Sequence, residues 1–287
     1  MIKSALLQSE IRRYGISEED VQLIREKEGV IVARVPFGDT TAVLKCFEKD
    51  AFCREIENYE ILQSCGIPTI VVLGKGERSI ILEDIEASCE YRLGEESDLS
   101  KPVVIMAIAK WYKTLHTKGA QHVRQHGTGM YEEWDCFTIE NIQAIKAKYD
   151  LSDNAGIRAL EQHFEEVRKR LDAAPRTLCY NDFYYTNLIV KKDLSEALMF
   201  DYNLLGKGNY ISDIHNVTYW FSKENKDLFL SVYGEPEEDL ILLDKICAPI
   251  VSLYSAMTRD VFPGWAKEAL ENLQEIPELI DELVKTP

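Results

Sequence analysis

The segment that most clearly indicates the fold spans residues 177–213 and reads TLCYNDFYYTNLIVKKDLSEALMFDYNLLGKGNYISD. It contains three short apolar runs, at 178–180, 188–190 and 198–200. These runs are too short for helices and rich in residues that favour strands. The polar residues 191–196 predict a turn between the second and third runs. The pattern therefore indicates a β-hairpin flanked by two loops.

The loops that flank this hairpin carry a compact set of oxygen donors. Asp182 opens the first loop, Asn187 closes it five residues later, and Asp201 follows the third apolar run. Two carboxylates and an amide suit Mg²⁺, which binds few protein ligands and leaves other positions to water and substrate phosphates. One carboxylate then remains to accept a proton from a hydroxyl group. This division of roles is typical of kinases, which carry D-x-x-x-x-N followed by a metal-binding Asp.

The whole segment resembles the catalytic region of the aminoglycoside phosphotransferase and choline kinase-like family, whose members are small-molecule kinases. The family pattern is H-G-D-x-x-x-x-N, then an apolar pair with D-x-x-x-x-G, then an Asp followed by an apolar residue. The matching positions here are Tyr180-Asn181-Asp182, Asn187, Phe200-Asp201, Gly206, Gly208 and Asp213-Ile214. Tyr180 and Asn181 replace the usual His-Gly. Because of this departure, the pattern does not fix the backbone conformation around Asp182.

The resemblance implies a two-lobed, protein-kinase-like α+β fold with a catalytic β-hairpin. The small, β-rich N-lobe is expected at residues 1–84, and the larger, mainly helical C-lobe at residues 85–287. The resemblance assigns Asp182 as the catalytic base and Asn187 and Asp201 as Mg²⁺ ligands. Asp213 is expected to brace the catalytic loop by accepting backbone N–H groups.

The nucleotide-binding residues are expected in the N-lobe. Lys45, near the end of a predicted strand at 40–47, resembles the lysine that contacts ATP phosphates. Glu55, on the helix that follows, is its expected partner, with Glu57 as the alternative. The segment Glu83, Asp84 and Ile85 lies where the interlobe hinge would offer backbone groups to adenine. Only Gly29 stands where kinases carry a Gly-rich loop.

Bulk properties limit the function classes. The net charge of −16 argues against a nucleic-acid partner. No apolar run approaches about 18 residues, which argues against a transmembrane helix. Seven cysteines without a C-x-x-C pair, and a start without a signal peptide, predict reduced thiols and a cytoplasmic location. The chain is expected to be a monomer or a homodimer.

The sequence leaves the acceptor open. From residue 201 onward there are sixteen acidic residues against seven basic ones, which favours a cationic acceptor such as an aminoglycoside or amino sugar. Antibiotic resistance is one hypothesis; a kinase of a metabolite, such as a choline-like alcohol, homoserine or a sugar, is another. A third is a non-catalytic binding protein that kept the fold. The phosphate donor is expected to be ATP, with GTP as the alternative.

Several other segments are candidates for contact with such an acceptor or with a metal ion. The candidates for an amine ligand are Tyr131 to Asp135, Glu224, Asp227 and 235–239. His122 and His126 are spaced for metal, but a predicted loop there argues against zinc. His116 is expected to be structural. Only eleven residues separate Asp201 from Asp213, too few for the activation segment of a protein kinase.

Overall fold

The computed structural model describes residues 4–285, which form ten strands and ten α-helices. The strands are β1 Gln22–Lys27, β2 Val30–Phe37, β3 Thr40–Phe47, β4 Val72–Lys75, β5 Ser79–Glu83, β6 Tyr91–Leu93, β7 Thr177–Cys179, β8 Leu188–Lys191, β9 Ala197–Met199 and β10 Gly206–Gly208. The helices are α1 Ala5–Arg13, α2 Asp50–Ser64, α3 Pro102–His126, α4 Ile139–Lys148, α5 Ala155–Ala173, α6 Tyr210–Thr218, α7 Lys223–Tyr233, α8 Glu238–Met257, α9 Lys267–Asn272 and α10 Ile276–Lys285. The predicted α+β class is confirmed. The sequence pattern predicts a short first helix at 2–14, and its first residue, Ile2, lies outside the described residues.

The chain divides into two compact units, each built from several stretches of sequence. The first comprises residues 4–119, 182–205 and 216–233, and the second comprises 120–181, 206–215 and 234–285. Residues 85–119 belong to the first unit, so these units are not the predicted lobes. A lobe boundary at residue 84 stays a prediction.

The first unit contains a five-stranded antiparallel sheet in the order β1-β2-β3-β5-β4. Helix α1 covers one face, where its Leu7 and Ile11 are fully buried against residues of β2, β3 and β5. Ala42, Leu44 and Cys46 of β3 belong to this core. Because successive side chains of a strand alternate between faces, Lys45 lies on the opposite face of the sheet.

The predicted hairpin is present in the same unit. Strands β8 and β9 pair antiparallel, with Leu188 opposite Met199 and Val190 opposite Ala197. Strand β6, which we did not predict, joins them to complete a three-stranded sheet in the order β6-β8-β9. All the residues of β9, and Leu188 to Val190 of β8, are buried. This rigid base carries the two loops that hold the polar residues.

The second unit is mainly helical. Its long helix α8 packs against α4, α5, α9 and α10 and buries ten of its residues. Strand β7 pairs with β10, which we did not predict, rather than with the hairpin. Gly206 at the start of β10 lies so close to Tyr131 that an added Cβ would come within 2.2 Å of its carbonyl oxygen. A side chain cannot fit there, which explains the glycine.

Helix α8 is the one helix within residues 4–285 whose length and composition would allow it to cross a membrane. Its most apolar 18-residue window has a mean hydropathy of 1.6, and 56% of that window is buried inside the protein. The buried core helix of a globular protein meets the same criterion.

The sequence pattern predicts a helix at 101–118, a C-terminal helix at 264–283 broken at Pro277, and a strand at 69–73; the structure shows a wrong boundary in each. Helix α3 continues through Gly119 to His126, since one glycine costs a helix only about 1 kcal/mol. The C-terminal helix breaks at residues 273–275 rather than at Pro277, which lies in the first turn of α10, where proline is tolerated. The strand expected at 69–73 is β4, three residues later at its start.

Candidate active site

The centre of the candidate site is Lys45, which is 7% exposed. It lies on β3 opposite Val32 of β2 and Ile80 of β5. Its Nζ lies 2.9 and 2.6 Å from the two carboxylate oxygens of Glu55 and 2.8 Å from Oδ1 of Asp201. A lysine in the middle of a sheet is therefore surrounded by two carboxylates that come from distant parts of the chain.

The charges of this cluster depend on one another. Burial alone lowers the pKa of Lys45, but the negative charges of Glu55 and Asp201 outweigh it, and the pKa is raised. Burial raises the pKa of Glu55 to about 7, against the opposing charge of Lys45. Burial thus disfavours both charges of the pair. We take Glu55 as ionised at neutral pH, since both of its oxygens accept hydrogen bonds from Lys45.

Helix α2 explains why Glu55 rather than Glu57 reaches the lysine. Glu55 is fully buried on the face that also buries Ile56 and Tyr59, whereas Glu57 is exposed. A rotation of 200° separates residues i and i+2 on a helix, so only one of the two acids can face the sheet.

The hairpin brings Asn187 and Asp201 side by side. Phe200 donates its backbone N–H to the carbonyl of Asn187 over 3.2 Å, which continues the ladder between β8 and β9 to the two polar residues. The side chain of Asp201 is 28% exposed. Its φ of 63° lies in the left-handed region, which costs a non-glycine residue roughly 1 kcal/mol.

Asp182 lies in the same loop and has few partners. The amide nitrogen of Asn187 donates to its carbonyl oxygen over 3.0 Å and to its Oδ2 over 3.3 Å. Burial raises the pKa of Asp182 to about 7, and the negative charge of Asp201 adds to the effect. A carboxylate with this pKa can accept a proton near neutral pH.

The residues that precede Asp182 show how the chain departs from the His-Gly pattern. Asn181 has a φ of 63°, a left-handed conformation that glycine adopts freely and asparagine tolerates better than most residues. In the second unit, the buried Asp213 accepts the backbone N–H groups of Tyr180 and Asn181, each over 2.7 Å. At the position of the pattern's glycine, Asn181 therefore has a backbone conformation that glycine favours, and Asp213 makes the bracing contacts expected of it.

Two residues of the predicted hinge segment make hydrogen bonds to other parts of the protein. The backbone N–H of Glu83 donates to the carbonyl of Val71 over 2.9 Å. Asp84 is buried and accepts hydrogen bonds from Arg34 and from Thr41, each over 2.6 Å. Although burial opposes it, these bonds lower the pKa of Asp84. Ile85 begins a short 3-10 helix. Any adenine contact would thus come from the backbone, and it stays a prediction.

The segment from Tyr131 to Asp135 is not the open acidic surface that its letters suggest. Glu132 is buried and pairs with Arg176 over 2.6 Å and with Lys207 over 3.3 Å. Burial, together with the charges of Asp244 and Asp213, raises the pKa of Glu133 to about 8. Glu132 is paired with two cations, and Glu133 is mostly protonated at pH 7. The segment is therefore a poor binding site for an amine.

The other sequence candidates lie apart from this cluster or have structural contacts. His116 Nδ1 lies 2.7 Å from the hydroxyl of Tyr233. His122 and His126 lie on α3 rather than in a loop, and no third metal ligand lies near them among residues 4–285. Glu224 and Asp227, on α7, are exposed to solvent. Nothing in these contacts assigns the last two a ligand.

Sequence reasoning missed two residues of α2 that contact this site. Arg54 and Asn58 donate side-chain hydrogen bonds to backbone carbonyls that follow Asp201. A signal was present in the sequence, since Asn58 lies three residues after Glu55 and thus on the same face of the helix. A polar residue on a buried face needs a hydrogen-bond partner.

The donor set fits a magnesium ion. Asp201 and Asn187 offer a carboxylate and an amide oxygen, which are the hard ligands that Mg²⁺ prefers. Because the amide nitrogen of Asn187 faces Asp182, its oxygen remains as the acceptor end of that side chain.

Comparison with solved structures shows which proteins share this fold. Choline kinase LicA from Streptococcus pneumoniae superposes with a TM-score of 0.61 at 15% identity, over 93% of this chain and 97% of that one. The ternary complex of APH(2″)-IIa with streptomycin and ATP gives a TM-score of 0.64 at 16% identity, over 97% and 98%. Spectinomycin phosphotransferase APH(9)-Ia, solved with ADP and spectinomycin, gives 0.62 at 12%, over 99% and 98%.

These structures define the fold class. The chain has the protein-kinase-like fold of small-molecule phosphotransferases, as the sequence resemblance implied. No protein-family model and no curated protein sequence matches the chain. At identities of 12–16% the likeness establishes the fold, and the activity has to be argued from the site.

Proposed function

We propose that this protein is a phosphotransferase that moves the γ-phosphoryl group of ATP to a hydroxyl group of a small molecule. The observation that carries the proposal is the cluster in the first unit. There a buried lysine contacts two carboxylates, and a third carboxylate with a raised pKa lies in the loop beside them. Kinases need these parts, because phosphoryl transfer depends mainly on positioning and charge neutralisation.

In the proposed reaction, the hydroxyl oxygen of the acceptor bonds to the γ-phosphorus while the bond from that phosphorus to the β,γ-bridging oxygen breaks. ADP leaves with the electron pair of that bond. Asp182 orients the hydroxyl and takes its proton, a role suited to a pKa of about 7. Lys45, held in place by Glu55, contacts the nucleotide phosphates.

Asn187 and Asp201 would hold Mg²⁺, and the ion would neutralise the charge that develops on the phosphate oxygens. Asp201 also contacts Lys45 over 2.8 Å. The lysine therefore holds the oxygens of this carboxylate in place before any nucleotide arrives.

The acceptor is proposed to be a cationic alcohol. The net charge of −16 supports a cation, and the solved structures with this fold include a choline kinase and complexes with spectinomycin and streptomycin. ATP as the donor is supported by the nucleotides in two of those structures. A cytoplasmic location and a monomeric or homodimeric state stay predictions.

The test is transfer of labelled phosphate from ATP, with and without Mg²⁺, to a panel of choline, ethanolamine, aminoglycosides and uncharged sugars. We expect one class of acceptor to be phosphorylated. Asp182→Asn should lower the rate by about 10²–10⁴-fold. Asp193→Asn is the matched control, because Asp193 lies in the turn between β8 and β9 and bonds only locally, to Ser195.

The outcomes separate the parts of the proposal. Transfer that persists in Asp182→Asn would remove Asp182 from the role of base. Phosphorylation of uncharged sugars alone would overturn the cationic acceptor and leave the reaction class in place. If the wild type binds ATP equally with and without Mg²⁺ and hydrolyses none of it, the protein is a binding module rather than an enzyme.

A further inference from the structure

The backbone that follows Asp201 is held from the side by helix α2. Asn58, which is 5% exposed, donates from its amide nitrogen to the carbonyl of Tyr202 over 2.7 Å and to that of Leu205 over 3.3 Å. One amide group thus uses both of its N–H bonds on a single short loop. The loop begins immediately after the proposed metal ligand.

Two neighbouring residues of α2 reinforce this contact. Arg54 donates from Nε to the carbonyl of Asn203. The ring of Tyr59 packs edge-on against the ring of Tyr202, with centroids 4.9 Å apart. The loop after Asp201 is therefore bound at consecutive residues, by both polar and aromatic contacts.

The same helix face holds Glu55. Its carboxylate binds Lys45 and also accepts the backbone N–H of Tyr202. Residues 54, 55, 58 and 59 lie on adjacent positions of one helix face. The helix consequently fixes the lysine and the loop after Asp201 in one rigid arrangement.

Asp201 needs such support because of its backbone. Its φ of 63° is a conformation that non-glycine residues adopt only where the surrounding structure holds them there. Asn58 donates to the carbonyl of Tyr202, the residue that follows Asp201, over 2.7 Å. Loss of this donor removes a hydrogen bond that holds the loop where the carboxylate of Asp201 contacts Lys45 over 2.8 Å.

We infer that Asn58 is a positioning residue that sets the backbone of Asp201 for Mg²⁺-dependent binding of the nucleotide. This inference rests on the proposed function. Asn58 touches neither nucleotide nor metal in this role; it acts through the carbonyls of Tyr202 and Leu205.

The experiment measures the affinity for ATP by calorimetry, in EDTA and at increasing Mg²⁺, for the wild type and for Asn58→Leu. Leucine keeps the size of the side chain and removes both donors. Residues that orient metal ligands typically change metal affinity by 10–100-fold when they are replaced. We expect Asn58→Leu to lower the enhancement of ATP affinity by Mg²⁺ by at least about 10-fold, and to leave the affinity in EDTA within about twofold of the wild type.

The matched control is Asn225→Leu. Asn225 also donates from its amide nitrogen to a backbone carbonyl in the same unit, that of Leu99, over 3.0 Å. It has no place in the proposed site. This variant should keep the full Mg²⁺ enhancement even where its melting temperature falls as far as that of Asn58→Leu.

Each outcome of this experiment either supports or overturns the inference about Asn58. Asn58→Leu with a normal Mg²⁺ enhancement and a lowered melting temperature would make Asn58 structural only and overturn the inference, while the proposed function stands. A wild type whose ATP affinity ignores Mg²⁺ would overturn the proposed function and this inference together. If Asn58→Leu does not fold, Asn58→Ala replaces it, because alanine removes the donors without adding bulk, and the same comparison applies.

Discussion

Two segments of this chain combine acidic and aromatic residues and differ in how their carboxylates are paired. In the segment 131–135, Glu132 is buried between Arg176 and Lys207, and its charge is balanced on both sides. In the loop at 182–187, Asp182 has a single amide as its side-chain partner, and its pKa is raised to about 7. The first carboxylate stabilises the fold, and the second is the group that we propose as the catalytic base.

Acidic residues in a sequence therefore do not by themselves identify a binding or catalytic site. Glu132 contacts two cations inside the protein, so its negative charge is already balanced there and attracts a further cation only weakly. A carboxylate buried beside another one keeps an unfavourable charge, which a proton, a metal ion or a substrate can relieve. An unfavourable charge of this kind is common among functional residues, and its effect on the free energy of unfolding can be measured.

The largest change in the free energy of unfolding is expected for Glu132→Ala, which tests the pairing of the first carboxylate. The change leaves Arg176 and Lys207 without their shared partner, and breaking a buried ion pair from one side costs about 3 kcal/mol. Urea denaturation at pH 7 checks this value. Asp135→Ala, at an exposed position three residues away, should change the free energy of unfolding by less than about 0.5 kcal/mol. A loss below about 1 kcal/mol for Glu132→Ala would mean that its pairing is weak.

Asp182→Asn is expected to act in the opposite direction. The substitution removes a partly buried charge, so the protein should become more stable at pH 8 by on the order of 2 kcal/mol. The rise of the pKa from 3.8 to about 7 corresponds to about 4 kcal/mol at about 1.4 kcal/mol per unit, and solvent screening at this partly exposed side chain reduces that value. The measurement is urea denaturation in EDTA. Destabilisation by this variant would show that the Asp182 carboxylate is well paired, and the contrast with Glu132 would disappear.

The pH dependence of the same pair of proteins gives a further check. Because the folded pKa of Asp182 is about 7 and the usual value is 3.8, the folded state keeps a proton between about pH 4 and pH 7 that the unfolded state has released. Raising the pH through this window therefore lowers the free energy of unfolding of the wild type. The stability gap to Asp182→Asn should be absent below about pH 4, grow through the window and level off above pH 7. A gap that is constant with pH would contradict the raised pKa.

The smallest effect is expected for Asn181→Gly. Glycine adopts a φ of 63° without strain, so the change in stability should stay within about 0.5 kcal/mol, whereas Asn181→Ala should cost about 1 kcal/mol. Thermal unfolding of both variants measures this difference. Equal losses for glycine and alanine would show that the side chain of Asn181, rather than its backbone conformation, is what matters.

The sequence carried enough information to predict the hairpin and the polar residues around it. Apolar runs bounded by turn residues indicated β8 and β9, and the order of Lys45, Glu55, Asp182, Asn187 and Asp201 matched a known kinase pattern. The class of fold followed from that order. These features are local in sequence, or depend on spacing that one chain displays directly.

The remaining features depend on partners that are distant in the chain. Strand β10 is Gly-Lys-Gly, which has no strand propensity, and it forms because β7 supplies its hydrogen bonds. Glu132 reads as a surface acid until Arg176 is placed 2.6 Å away. Nothing close to Asp84 in the sequence indicates that Arg34, fifty residues earlier, binds its carboxylate over 2.6 Å. Pairings of this kind have no local signal.

The discontinuous make-up of the two units limits how this protein can be divided. The chain passes from one unit to the other five times, at residues 119, 181, 205, 215 and 233. No single cut yields either unit whole, and a fragment that ends at residue 84 would keep Lys45 and Glu55 but lose Asp201. An exchange of residues 1–84 alone would transfer Lys45 and Glu55 without Asp201, which contacts Lys45 over 2.8 Å. The three residues therefore have to be exchanged together.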